Sequence, residues 1–210
     1  MDGTLVNTEP YWLKAETALM AKFGHEWTSE DQAHCLGGPL PRVGAYMHNL
    51  AQVQSPEFFV TELVRGVEEE FHRGIDFMPG AESLMREIFS LGIPLALVSA
   101  SPRNLVDATL HSLDENFFAT SVSSNDVQLS KPDPESYLLA AKRLGVNIEN
   151  VLILEDSRPG IASAQRSGAL VVAIPHLISV DEHPRTVILT SLVDSTLEAL
   201  TDLLDERITQ

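Results

Sequence analysis

Four short segments of this chain hold side chains suited to a single chemistry: MDGTL at 1–5, VSAS at 98–101, SKPDPESY at 130–137 and LEDSRPGI at 154–161. Taken singly they are ordinary, because an Asp-Gly makes a turn, a Ser at a strand end makes a cap, and an acidic pair is commonly solvated. Together they supply what phosphoryl transfer requires: a metal, an ammonium group, hydroxyl and backbone donors for phosphate oxygens, and an acid near the leaving group. Glu155 and Asp156 are hard oxygen ligands suited to Mg²⁺, which takes one or two carboxylates and keeps several waters. Lys131 is a compact cation that can pair with a carboxylate and a phosphoryl group at once. Ser99, the backbone N–H groups of Ala100 and Ser101, and a helix N-terminus predicted at Ser101-Pro102 can cradle phosphate oxygens, and Thr4 joins them as a phosphate or substrate contact. Asp2 is suited to protonate a departing alkoxide and later to activate water, a task commonly worth ~10²–10⁴-fold.

Segments this far apart in sequence need a scaffold that gathers them at one rim. From residue 77 onward helix-like and strand-like stretches alternate, the pattern of parallel β-α units with helices on both sheet faces. Short apolar runs predict buried strands at Leu95–Ser99, Ser121–Ser124, Val151–Leu154 and Leu170–Ile174. The four segments fall at or just after strand ends, where open α/β sheets place their ligands. Pro79-Gly80 opens a helix that stops near Gly92, Ser101-Pro102 and Asp133-Pro134 read as N-caps with proline in the first turn, and Gly168 closes a helix that begins near Pro159. Residues 9–76 differ: they show helical periodicity, no convincing strand, and breaks at Gly24, Gly37-Gly38-Pro39 and Ser55-Pro56. In the first of these helices Trp12, Ala15, Leu19 and Phe23 form a core stripe that Gly24 ends. The expected organisation is a core of residues 1–8 and 77–210 with an all-helical insert at 9–76.

Composition narrows the function classes. The chain has 210 residues, 44% hydrophobic and 21% charged, which excludes disorder as the main state. Fourteen Lys and Arg against thirty Asp and Glu leave a net charge of −16, which repels nucleic-acid backbones and anionic lipid. No apolar run is long enough to span a membrane, and the acidic N-terminus lacks a signal-peptide pattern. A lone cysteine, Cys35, excludes an intrachain disulfide and fits a reducing cytoplasm; it reads as a small buried hydrophobe. The histidines His25, His34, His48, His72, His111, His176 and His183 show no ligand spacing. The runs Glu68–Glu70 and Asp202–Arg207 read as solvated helix faces.

The four segments resemble the four motifs of the haloacid dehalogenase superfamily, in the subgroup similar to phosphoglycolate phosphatase and β-phosphoglucomutase, and the resemblance covers nearly the whole chain. It is most specific over EDSRPGIASAQRSGA at 155–169. It implies a Rossmann-like, three-layer α/β core with a parallel sheet and an inserted α-helical cap after the first motif. It further implies Mg²⁺ held by Asp2, through its backbone carbonyl, and by Glu155 and Asp156. Asp2 would serve as acid and base, Ser99 as the second motif and Lys131 as the third. Cap movement is a further expectation of the resemblance.

One departure stands out. The family's first motif is D-x-D-G-T, and here Met1 occupies the position between the two aspartates, so the nucleophilic aspartate is absent. Also absent is the apolar strand that leads into it. Four or five buried apolar side chains at ~1.5–3 kcal/mol each amount to roughly 6–15 kcal/mol, comparable with the ~5–15 kcal/mol stability of a whole domain. The expectation is that an apolar strand ending in Asp precedes Met1 in the complete protein, and that the 210-residue chain alone is inactive. The complete protein is expected to hydrolyse a small phosphomonoester, with a phosphohexomutase or a catalytically dead phosphate-binding homologue as the alternatives. The mutases that the chain resembles carry a His four residues after a Thr in the first cap helix. Here Trp12 follows Thr8 at that distance, which favours hydrolysis. Substrate choice is expected in the loop Gly37–Arg42, with Arg42 reaching the non-reacting end of the substrate, in a monomer or small homo-oligomer.

Overall fold

In a computed structural model, which describes residues 1–175, 180 and 183–208, Glu9–Ala21 forms the first helix, α1, and buries Ala15, Glu16, Leu19 and Met20 on one face. Helices α2 (Ser29–Cys35), α3 (Leu40–Ala51) and α4 (Pro56–Phe71) follow. Thr28 opens α2 with a capping box: its hydroxyl accepts from the Asp31 N–H while the Asp31 carboxylate accepts from the Thr28 N–H. Ser55 caps α4, ahead of Pro56 in its first turn. Met20 on α1, Val43 and Met47 on α3, and Phe59, Leu63, Val67 and Phe71 on α4 are buried, and Phe23 packs edge-on to Phe59 at 5.2 Å. Gly66 lets α4 approach α1 closely, since a Cβ there would lie 3.2 Å from the Ala15 methyl. These helices make up one unit, Thr8–Ile75, and Met1–Asn7 with Asp76–Gln210 make up the other.

In the second unit, helix α5 (Ala81–Ser90) begins after Gly80, whose φ of +83° and contact with the Leu192 backbone leave no room for a side chain. Strand β1 (Leu95–Val98) runs parallel to β2 (Phe118–Val122), joined by α6 (Arg103–His111). Helix α7 (Glu135–Leu144) leads to β3 (Leu152–Glu155), and α8 (Arg158–Ser167) leads to β4 (Leu170–Ala173). Strand β5 (Thr186–Ile188) joins β4, and α9 (Leu197–Ile208) ends the described chain. All pairings are parallel, in the orders β1-β2 and β3-β4-β5. This is an α/β fold with right-handed crossover helices expected between parallel strands. Val171, Val172 and Ala173 on β4 are fully buried, and Val171 packs in a cluster with Tyr137, Ile153, Ala164 and Ala169. None of the helices among the described residues is long and apolar enough to cross a membrane.

Several local expectations need correction. The strand expected at Ser121–Ser124 lies earlier, at Phe118–Val122, because Ser123 turns out of the ladder to cap a 3₁₀ turn at Ser124–Asp126. Ser101 does not cap α6: Pro102 takes the cap position, and the Ser101 hydroxyl turns to Asp2 instead. Pro134, not Asp133, sits at the cap of α7, although Asp133 Oδ1 still accepts from the Glu135 N–H at 3.0 Å. Strand β5 has no counterpart among the expected strands, being only three residues in a polar neighbourhood. The acidic run on α4 is not all solvated, since Glu70 is half-buried and accepts from Lys14 at 2.6 Å and from Arg73. Cys35 is buried, and burial pushes its thiol up to about 11. His176 lies outside the described residues.

Candidate active site

The site begins with a tight turn at the N-terminus. The Leu5 and Val6 N–H groups both donate to the Met1 carbonyl, at 2.9 and 3.0 Å, and Gly3 takes the left-handed conformation with φ +69°. At Gly3 a Cβ would collide with the Asp156 carboxylate, so glycine is required twice over, by backbone angle and by space. The turn aims Asp2 at the end of β1 and Thr4 at the end of β3. Asp2 Oδ2 accepts from the hydroxyls of Ser99 and Ser101, each at 2.9 Å, and the Ser99 hydroxyl accepts from the Ser101 N–H at 3.0 Å. Ala100, between them, is exposed. The Thr4 hydroxyl donates to Asp156 Oδ1 at 2.6 Å.

The third and fourth segments meet through Glu155. Its Oε1 accepts from Lys131 Nζ at 2.5 Å and from the Tyr137 hydroxyl at 2.7 Å. Its Oε2 accepts from the N–H groups of Asp156 and Ser157, at 3.0 and 3.1 Å, and from the Ser157 hydroxyl at 3.1 Å. Burial opposes ionisation of Glu155, but the charges of Lys131 and of the amino terminus and the hydrogen bonds from Lys131 and Tyr137 outweigh it, holding its carboxyl at about 2. Lys131 precedes a cis peptide to Pro132, and its ammonium also lies 4.6 Å from the centre of the Tyr137 ring. Burial and the neighbouring carboxylate push the Tyr137 hydroxyl well above its usual range, so it stays a donor. Gly160 is necessary here too, because a Cβ would overlap the Glu155 carboxylate.

Both oxygens of Glu155 are thus engaged by protein donors, whereas only one oxygen of Asp2 is. Asp2 Oδ1 is buried and has no hydrogen-bond partner. Burial pushes the Asp156 carboxyl up despite the Thr4 hydrogen bond, and the charge of Glu155 adds to the rise. An orphaned carboxyl oxygen and a second carboxyl group beside Glu155 fit a small divalent cation, and Mg²⁺ asks no more than one or two carboxylates. Among the described residues no group of three or more His, Cys, Asp or Glu side chains forms a cluster able to hold a metal by itself.

Asp2, Thr4, Ser99, Ser101, Lys131, Glu155 and Asp156 therefore come together within the second unit, in two hydrogen-bonded sets that the turn carrying Asp2 and Thr4 joins. Arg42 belongs to the helical unit. It lies exposed in the first turn of α3, and its guanidinium donates to the His34 carbonyl at 2.9 Å. Two contributors were not among the expected residues: Tyr137 and Ser157, each of which holds Glu155. Tyr137 stands six residues after Lys131 in the same segment, a spacing that brings it back beside the lysine once Glu135 has begun α7.

A family model described as haloacid dehalogenase-like hydrolase matches residues 1–174. A phosphorylated carbohydrates phosphatase from Thermotoga maritima is 32% identical over 171 residues, covering 80% of this chain and 79% of that protein. A haloacid dehalogenase family IA hydrolase from Entamoeba histolytica shares the fold with a TM-score of 0.80 at 19% identity, over 98% of this chain and 96% of that one. The structure of a β-phosphoglucomutase from Clostridium difficile is similar in fold at a TM-score of 0.79 and 22% identity, over 100% and 96% of the two chains. With its motif-bearing strand ends gathered at one place and a family match spanning most of its length, this chain belongs to the haloacid dehalogenase-like hydrolases.

Proposed function

We propose that this chain carries the phosphate-binding, acid–base and metal-binding apparatus of a Mg²⁺-dependent hydrolase of small phosphomonoesters. The observation that carries the reading is the convergence of Asp2, Ser99, Lys131 and the Glu155-Asp156 pair, from four segments, through hydrogen bonds of 2.5–3.1 Å. The Ala100 N–H, and the hydroxyls of Ser99 and Ser101 and the Ser101 N–H once they leave their partners Asp2 and Ser99, are the donors for phosphate oxygens. Lys131, held in place by Glu155 and Tyr137, balances charge that gathers on the phosphoryl group. Asp2 gives a proton to the leaving oxygen and takes one from water. Asp156 and Asp2 would hold Mg²⁺, with Glu155 fixing the loop beneath them, and the ion supplies charge neutralisation at the phosphoryl oxygens.

In this reading the helical unit Thr8–Ile75 is a cap, and Arg42 at the start of α3 selects the far end of the substrate. The phosphatase from Thermotoga maritima supports a phosphorylated carbohydrate as the substrate class. Trp12 in place of a mutase-type His favours water as the final acceptor. The lone buried Cys35 suits a cytoplasmic protein, and the net charge of −16 suits a small-molecule partner over nucleic acid or anionic membrane. The covalent route needs an aspartate two positions before Asp2, so the test uses the chain with that position supplied. Extending it by an apolar segment ending in Asp should give hydrolysis of p-nitrophenyl phosphate that depends on added Mg²⁺ and disappears in Asp156→Asn. Absence of hydrolysis in a folded, extended protein refutes the reading, and transfer from glucose 1-phosphate to the 6-position would replace it with the mutase.

A further inference from the structure

We infer that the 3₁₀ turn at Ser124–Asp126 braces the phosphate-binding loop Ser99–Ser101, and that Asn125 is a positioning residue acting on that loop through the first N–H of α6. This role rests on the proposed use of Ser99–Ser101 as phosphate donors and adds to the site a residue from a fifth segment.

Helix α6 begins directly after the loop, yet it has no side-chain cap of its own. Pro102 holds the cap position and carries no side-chain acceptor. The Leu105 and Val106 N–H groups donate to the Pro102 carbonyl, at 3.1 and 3.2 Å. The Arg103 N–H instead donates to Asn125 Oδ1, 22 residues further on, at 2.9 Å. Two backbone bonds accompany it: the Ser99 N–H donates to the Val122 carbonyl at 2.9 Å, and the Ser124 N–H donates to the Ser101 carbonyl at 3.1 Å. Residues 99, 101 and 103 are thus each stitched to the chain leaving β2, while Ala100 between them stays exposed.

The turn is itself held in place. The Ser123 N–H and hydroxyl both donate to Asp126 Oδ2, at 2.8 and 2.6 Å, and the Ser123 hydroxyl accepts from the Asn125 N–H at 3.2 Å. Asp126 also receives the guanidinium groups of Arg103 on α6 and of Arg143 on α7, the second at 2.9 Å. Arg103 donates further to the Ser121 hydroxyl at 2.8 Å, and Arg143 to the Ser121 carbonyl. One carboxylate therefore gathers the helix that follows Ser99–Ser101 and the helix that follows Lys131. Glu135 fixes the stretch between Asp126 and Lys131 by accepting from the Gln128 and Leu129 N–H groups, at 2.7–3.1 Å.

Donors for phosphate work only where they stand ready for its oxygens, and misplacement by about 1 Å costs on the order of 10²-fold. Two of the three stitches are backbone bonds that no side-chain replacement removes. The third depends on one amide oxygen. Asn125 is exposed, so losing that oxygen opens no cavity and lets water reach the Arg103 N–H. The effect of the loss falls on phosphate binding more than on stability.

Asn125→Ala in the extended protein of the hydrolysis assay tests this, with inorganic phosphate and Mg²⁺ as the probe. By titration calorimetry the variant should bind phosphate roughly three- to tenfold more weakly, and it should lose at least as much in kcat/KM for p-nitrophenyl phosphate. Its Tm should stay within about 3 °C of the parent's. Hydrogen exchange of the Arg103 amide should quicken by about threefold or more, and Asn125→Asp, which keeps an acceptor oxygen there, should return it to the parent's rate. A quickened Arg103 amide with phosphate affinity and kcat/KM at the parent's values overturns the proposal, leaving Asn125 a helix cap and the catalytic reading intact. An Arg103 amide that exchanges in Asn125→Ala as it does in the parent overturns it too. A parent that neither binds phosphate nor hydrolyses the ester refutes the catalytic reading, and this role with it.

Discussion

The Tyr137 hydroxyl donates to the same carboxylate oxygen, Glu155 Oε1, that receives the Lys131 ammonium, at 2.7 and 2.5 Å respectively. One buried oxygen thus aligns an acid, a phenol and an ammonium, and the phenol is a positioning residue for the lysine. Tyr137→Phe keeps the ring and its packing but removes a hydrogen bond to a charged acceptor, for which a loss of about 1.5–3 kcal/mol is expected. Urea unfolding should show the fall in midpoint, and an unchanged midpoint would show that the hydroxyl contributes nothing net.

Glu16 makes the helical unit sensitive to pH. It is buried on α1, its Oε2 has no hydrogen-bond partner, and burial, then the charge of Glu9, pushes its carboxyl up to about 7 against the opposing effect of Trp27. For an acid raised in the folded state, stability is fully present below the unfolded value of 4.5 and is lost as pH rises to about 7. The expected loss is roughly 1–2 kcal/mol after screening, and Glu16→Gln should abolish that slope and stabilise the protein at pH 8. A Glu16→Gln variant with the parent's pH profile would contradict the assignment.

Asp126 titrates in the opposite sense. Burial raises it, but the Ser123 hydroxyl and N–H, Arg143 at 2.9 Å and Arg103 hold its carboxyl far below the usual range. Stability from this group is present above the unfolded value of 3.8 and falls away as pH drops below it. Asp126→Asn should remove that acid-side contribution and loosen the Ser123–Asp126 turn beside α6. Acid titration of parent and variant by circular dichroism checks this, and superimposable curves would count against it.

Gly160 offers a steric test. Alanine in the first turn of a helix ordinarily gains roughly 0.5–1 kcal/mol over glycine. At 160 a methyl would overlap the Glu155 carboxylate, so Gly160→Ala should instead lower stability, by about 2 kcal/mol or more, and displace Glu155 from Lys131. Gly145→Ala, at a left-handed helix end with open space around it, controls for backbone strain alone. A Gly160→Ala protein at least as stable as the parent would show that the loop yields without cost.

Local chemistry made much of this protein legible from its residues. Apolar runs marked β1, β3 and β4, Gly168 and Gly80 marked helix ends, and a Ser, a Lys and an acidic pair marked three of the loops that bear the site. Each such signal lies within a few residues, because strand burial, proline angles and glycine conformations are set by near neighbours. Tertiary packing decided the rest. Ser101 stands like a helix cap, but Asp2, 99 residues away, competes for its hydroxyl and receives it. Glu155 reads as a metal ligand from its type and place, and only packing brings Lys131, Tyr137 and Ser157 to donate to its oxygens. Glu16 sits at a position that α1 turns inward, where no polar partner reaches Oε2. A hydrogen bond between distant residues exists only when packed strands and helices bring donor and acceptor within about 3 Å, a distance that no spacing along the chain encodes.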